Sequence, residues 1–114
     1  GALRCKQIAV MLKAAGIDVA YIACIDATCL PRGEPKMLIP NNVEYVDELW
    51  SNLGFFNCPL RARMSTPDGS KGGKYVYPRG VINKIYKINA SHIPIASEPR
   101  VRNIIVNKVK ELTS

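Results

Sequence analysis

The stretch "NNVEYVDELWSNLG", Asn41–Gly54, decides how this chain is put together. Val43, Val46, Leu49, Trp50 and Leu53 recur at spacings of mostly three and four, the repeat of one side of an α-helix. Asn41 or Asn42 can cap the first turn, Glu44, Asp47 and Glu48 fall toward the favourable positive end of the helix dipole, and Gly54 can close the segment. The pattern predicts a helix with an apolar docking side and an acidic outer side. Trp50 falls within the apolar arc and is expected to pack in the core.

Toward the N-terminus, Cys5, Ile8, Met11, Leu12 and Ala15 repeat at helical spacing with Lys6 and Lys13 on the far side. A helix over Leu3–Ala15 is expected, closed by Gly16 in a left-handed conformation. "IDVAYIACIDATCL" follows, a β-branched and aromatic run whose near-continuous apolarity suits a strand within Ile17–Ile25 covered on both faces. It is the candidate central strand. "PRGEP" reads as a loop, and Lys36–Ile39 as a short strand ending at Pro40.

Toward the C-terminus, "LRARM" (Leu60–Met64) alternates in the manner of a half-exposed strand, with Arg61 and Arg63 outward. "KYVYP" (Lys74–Pro78) is expected to return as its hairpin partner across a glycine-rich loop, Thr66–Gly73. "VINKIYKI" (Val81–Ile88) fits helix or strand, and "SHIPI" (Ser91–Ile95) an edge strand. Ser97 is placed to cap a helix over Glu98–Leu112 with Val101, Ile104, Ile105, Val109 and Leu112 inward. The expected fold class is therefore α+β: a small mixed or antiparallel sheet of three to five strands packed with about three helices, in a single domain spanning 1–114.

A chain of 114 residues can bury an ordinary core without disulfides. No apolar run approaches the roughly 20 residues of a membrane-spanning helix, so no membrane association is expected. The chain opens Gly1-Ala2 without a signal peptide, which suggests a piece excised from a longer protein. Cysteines at positions 5, 24, 29 and 58, with Cys5 on the apolar side of a helix, suit reduced thiols and an intracellular setting, cytoplasmic or nuclear.

The formal charge of +7 is uneven. Residues 1–60 carry five basic against six acidic side chains, whereas residues 61–114 carry eleven against three. Such asymmetry points to a surface for a polyanion or an acidic protein. The densest part is "TPDGSKGGKYVYPRG", Thr66–Gly80. A phosphate-cradling loop of the nucleotide-hydrolase type is excluded, because Gly69 to Lys74 leaves one residue too few between the glycines and Tyr75 follows where a hydroxyl should reach magnesium. What remains is a basic ribbon. Arg61, Arg63, Lys71, Lys74, Arg79, Lys84 and Lys87 are expected to contact phosphates, and Tyr75, Tyr77 or Tyr86 to stack on bases. Arg100, Asn103, Asn107 and Lys110 form an acid-free polar stripe on the last helix that could follow a phosphate backbone.

Three chemical alternatives are weaker. Cys24, Cys29, Cys58 and His92 lack the paired-cysteine spacing of a zinc site, and no local signature makes Cys29 with His92 a nucleophilic pair. Asp26 with Glu34 and Lys36 has the minimal ligand set of metal-dependent nucleases that resemble the restriction-endonuclease superfamily, but Pro35 interrupts the strand that set requires. No cofactor, metal or catalytic residue is assigned. The reading is a non-enzymatic nucleic-acid-binding module, for RNA before DNA. The alternative is a protein-interaction module docking its basic face on an acidic partner, and the distant third a metal-dependent nuclease.

Overall fold

The computed structural model describes residues 2–25, 28–29, 36–51, 63–64, 74–91 and 94–114. Helix α1 (Ala2–Ala14) leads into strand β1 (Val19–Ile25), followed by two short strands, β2 (Thr28–Cys29) and β3 (Lys36–Leu38). Strand β4 (Val43–Ser51) is followed by short strands β5 (Arg63–Met64) and β6 (Lys74–Val76), then β7 (Ile82–Ile88). A 3₁₀ turn (Pro94–Ser97) and helix α2 (Pro99–Thr113) complete the chain.

The stretch around Val43–Ser51 is thus a strand and not a helix. It is the middle strand of a three-stranded sheet in the order β1-β4-β7, parallel to both neighbours. Both of its faces are covered, and Val46, Asp47, Glu48 and Leu49 are all buried in succession. A strand buried on both sides shows no period of two, so its apolar residues mimicked a helical repeat. The β-branched and aromatic residues Val43, Tyr45, Val46 and Trp50 favour the strand. The central position also passes from β1, which is an edge of this sheet, to β4.

Two helices are formed among the described residues, not about three, and the main sheet is neither mixed nor antiparallel. The hairpin expected between Leu60–Met64 and Lys74–Pro78 is replaced by other pairings. β5 pairs antiparallel with β2, and β6 pairs parallel with β3. The chain thus leaves β1, contributes β2 and β3, and returns to lay β4 beside β1. It repeats this excursion through β5 and β6 before β7. Parallel neighbours require such long crossovers, since a tight turn can only reverse direction.

One core lies on the α1 side of the sheet. Ala9, Ile22, Cys24, Ile39, Val43 and Val46 are buried together, with Cys5, Val19, Tyr77 and Val81 packed around them. The other lies on the α2 side, where Leu49, Ile88, Ala90, Ile95 and Val101 are joined by Ala23, Ile25, Tyr86, Ile104 and Ile105. Ile22 and Cys24 face one way and Ala23 and Ile25 the other, as strand alternation demands.

Helix α1 docks through Cys5, Ala9 and Leu12, whereas Ile8 and Met11 of the expected inner face are 55% and 71% exposed and Ala15 is also exposed. Its C-terminus closes as expected. Gly16 adopts φ +74°, its N–H bonds the Lys13 carbonyl at 3.0 Å, and the Ile17 N–H bonds the Leu12 carbonyl at 2.8 Å, the two bonds of a Schellman cap. Asn42 caps no helix. Its Nδ2 donates to the Ala9 carbonyl at 3.0 Å and the Ile17 carbonyl at 2.9 Å, clipping α1 to the start of β4.

Helix α2 buries Val101 and half-buries Ile104, Ile105, Lys108 and Leu112, leaving Val109 of the expected inner face exposed. Its N-cap is Glu98, with no side-chain cap bond, and Pro99 opens the first turn. Ser97 instead belongs to the 3₁₀ turn Pro94–Ser97, which takes in the last two residues of the Ser91–Ile95 segment expected as an edge strand. Proline suits the first helical position because its missing N–H would have no partner there.

Candidate functional site

Val101 of α2 packs with Leu49 and Ile88, toward the C-terminal ends of β4 and β7. Lys108, two turns later, holds its ammonium 5.2 Å from the Tyr45 ring centroid near the start of β4. Helix α2 therefore runs antiparallel to the strands across one face of the sheet. On that face the register sets Tyr45 opposite Ile82, Asp47 opposite Lys84 and Leu49 opposite Tyr86.

This arrangement brings two lysine–tyrosine pairs onto one surface. Lys84 lies 5.1 Å from the ring centroid of Tyr86, two residues along the same face of β7, and Lys108 covers Tyr45. Both distances lie within the ~6 Å reach of a cation–π contact. Both tyrosines are half-buried, and Lys84 is exposed. Arg79 is exposed at the start of this strip, where Pro78–Val81 turns into β7. Gly80 takes φ +94° there and the Val81 N–H reaches the Pro78 carbonyl at 3.3 Å, as a type II turn requires.

The nearby carboxylates are divided between interior and surface. Asp47 is 3% exposed and accepts the Tyr21 hydroxyl at 2.7 Å, so it is drawn into the fold rather than displayed on an acidic outer face. Burial, then the bond to Asp47, pushes the Tyr21 phenol far above its ordinary range. Glu111 pairs with Lys108 at 3.4 Å, and Glu44 is exposed. At the foot of the strip a surface cavity of about 360 Å³ opens between the start of β4, with Asn41, Glu44 and Tyr45, and the turn into β7, with Arg79, Gly80 and Ile82.

The structure distributes the expected contact residues unevenly. Arg79, Lys84, Lys87, Arg100 and Lys110 are all exposed. Arg100 Nη1 donates to the Lys87 carbonyl at 3.0 Å, which joins the first turn of α2 to the end of β7. Lys87 stands three residues from Lys84 and so projects to the opposite face. Asn103 and Asn107 are exposed beside Arg100 and Lys110, completing the polar stripe of α2. Arg63, Lys74 and Tyr75 lie by their backbone in β5 and β6, with side chains outside the described residues. Arg61 and Lys71 also lie outside them.

Tyr77 is half-buried, packs against the α1-side core and donates its hydroxyl to Glu48 Oε2 at 3.1 Å, which places it on the opposite side of the sheet from Tyr86. Burial, then the Glu48 charge, raises its phenol far above the ordinary range. Glu48 itself is 1% exposed, and its Oε1 has no hydrogen-bond partner. Burial pushes this carboxyl up to about 7, against the smaller downward effect of the Tyr77 bond.

Tyr45 and Lys108 were not anticipated from the sequence. Lys108 carried a usable signal, because it sits seven residues after Val101 and four after Ile104, inside the apolar arc of α2. A lysine at such a position lays its stem over apolar surface and carries its charge to the rim. Tyr45 was concealed by the helical reading of its segment.

Among the described residues no group of three or more His, Cys, Asp and Glu gathers to hold a metal. Cys5 is half-buried and Cys24 buried; Cys58, His92, Asp26 and Glu34 lie outside the described residues, as do the side chains of Cys29 and Lys36. No described helix is long and apolar enough to cross a membrane. No protein-family model, curated protein or solved structure matches this chain.

Proposed function

We propose that this domain is a non-enzymatic module that binds single-stranded nucleic acid, RNA in particular, along the strip between β7 and α2. The reading is carried by one observation, the placement of two lysine–tyrosine pairs, Lys84 with Tyr86 and Lys108 with Tyr45, on a single sheet face. Lys84 and Arg79 neutralise phosphates, while the two rings stack on bases that an unpaired strand leaves open. Arg100 and Lys110 extend the positive field past the end of β7 and along α2, while Lys87 stands on the opposite face. A lone basic patch would serve an acidic protein equally well; the paired rings favour a ligand with flat aromatic groups.

The test is a fluorescence-anisotropy titration of labelled single-stranded RNA over a range of salt concentrations. Affinity should fall linearly in log salt with a slope of roughly −0.7 per contacted phosphate. Arg79→Ala and Lys84→Ala should each make that slope shallower. RNA binding without salt dependence, or no binding, would count against the reading and turn attention to an acidic protein partner.

A further inference from the structure

The cavity at the foot of the strip has a chemistry of its own. Its walls combine an aromatic ring, Tyr45, and apolar Ile82 with a carboxylate, Glu44, an amide, Asn41, and a guanidinium, Arg79. Glu44 and Arg79 are both exposed, and neither is held in an ion pair among the described residues. At about 360 Å³ the space falls in the ~300–1,000 Å³ range of small-ligand sites. An apolar wall with a few convergent polar groups is the pattern of a site that fixes the orientation of a flat ligand.

We infer that this cavity receives one guanine base of the bound strand, an inference that rests on the nucleic-acid reading above. Guanine offers two adjacent donors, N1–H and the N2 amine, on its Watson–Crick edge, with the acceptors O6 and N7 beside them. A carboxylate accepts from the donor pair, and a guanidinium donates to O6 and N7. The other bases present a lone-pair acceptor next to any donor on that edge, and it would oppose the Glu44 carboxylate. Tyr45 supplies the stacking surface, with Lys108 on its ring. Tyr45 and Ile82 of its lining lie on the sheet face that also carries Lys84 and Tyr86, so the flanking nucleotides run on toward those two residues.

Two measurements separate this inference from the reading beneath it. The first compares oligouridylates of one length carrying a single central guanosine, inosine or adenosine with the uridine-only strand. The guanosine strand should bind about tenfold tighter than uridine alone, and inosine, which lacks the N2 amine, should fall between. Glu44→Gln should remove the preference for the guanosine strand over the uridine strand. The second is an NMR titration with guanosine monophosphate, expected to shift the amides of Asn41, Tyr45 and Gly80. Equal affinity for all strands with no such shifts overturns the guanine site while the strip stands. Shifts from the mononucleotide without binding of any strand keep the site and overturn the strip, and failure of both measurements removes both.

Discussion

The Tyr77 hydroxyl donates to Glu48 Oε2 at 3.1 Å and ties the end of the second crossover to the central strand. The carboxyl it meets is buried, with its other oxygen unpartnered. Glu48 is pushed from its ordinary 4.5 up to about 7, so the folded state holds this proton where the unfolded state has released it. The contribution is full below the unfolded value and is lost as pH rises through the folded one. Stability to urea should fall between about pH 4.5 and 7 by roughly 3 kcal/mol from this group alone. Glu48→Gln should flatten that dependence; an unchanged pH profile in the variant would remove Glu48 as its source.

Tyr77→Phe keeps the ring in the α1-side core and deletes the bond to Glu48. The domain should lose about 1–3 kcal/mol at pH 8, where the carboxylate is charged and its desolvation is least compensated. RNA affinity should not change. A loss of affinity at unchanged stability would return Tyr77 to the binding surface.

Tyr45→Leu and Tyr86→Leu should behave in the opposite way. Leucine retains much of the apolar packing but cannot stack on a base, so each variant should lose on the order of 1–3 kcal/mol of RNA affinity with little change in the urea midpoint. Affinity that survives both substitutions would show that no stacking occurs on this strip.

Asn42→Ala removes both bonds that clip α1 to β4, leaving the carbonyls of Ala9 and Ile17 without their amide donor. A destabilisation of about 2–3 kcal/mol is expected, partly offset because Asn42 Oδ1 is itself buried without a partner. Hydrogen exchange should report it first in α1 and β1. Uniform acceleration across β7 as well would mean that the clip holds the whole fold.

Much of the outline was legible. Both terminal helices, β1 and the short strand from Lys36 follow from local chemistry, since apolar spacing, a closing glycine and proline breaks act over a few residues. The exposed cations Arg79, Lys84, Lys87, Arg100 and Lys110 were also legible, because long charged side chains are rarely buried without partners. The error at Val43–Ser51 arose because Asp47 and Glu48 resemble a solvated helix face until Tyr21 and Tyr77 are brought to them by the sheet. The strand pairing failed for a related reason. Proximity along the chain favours a hairpin between β5 and β6, whereas the parallel sheet carries each of them to a strand laid down on the previous pass.

The sequence by itself determined where charge accumulates and which segments can be helical at the two ends. Only the tertiary structure decided that two acids would lie inside, that Tyr77 would turn inward, and that Tyr45 and Lys108, more than sixty residues apart, would share a surface with Lys84 and Tyr86. The physical reason is that a parallel sheet is held by pairings between distant segments. The environment of each side chain on it is set by which strands and helices cover that face, information that no local window contains.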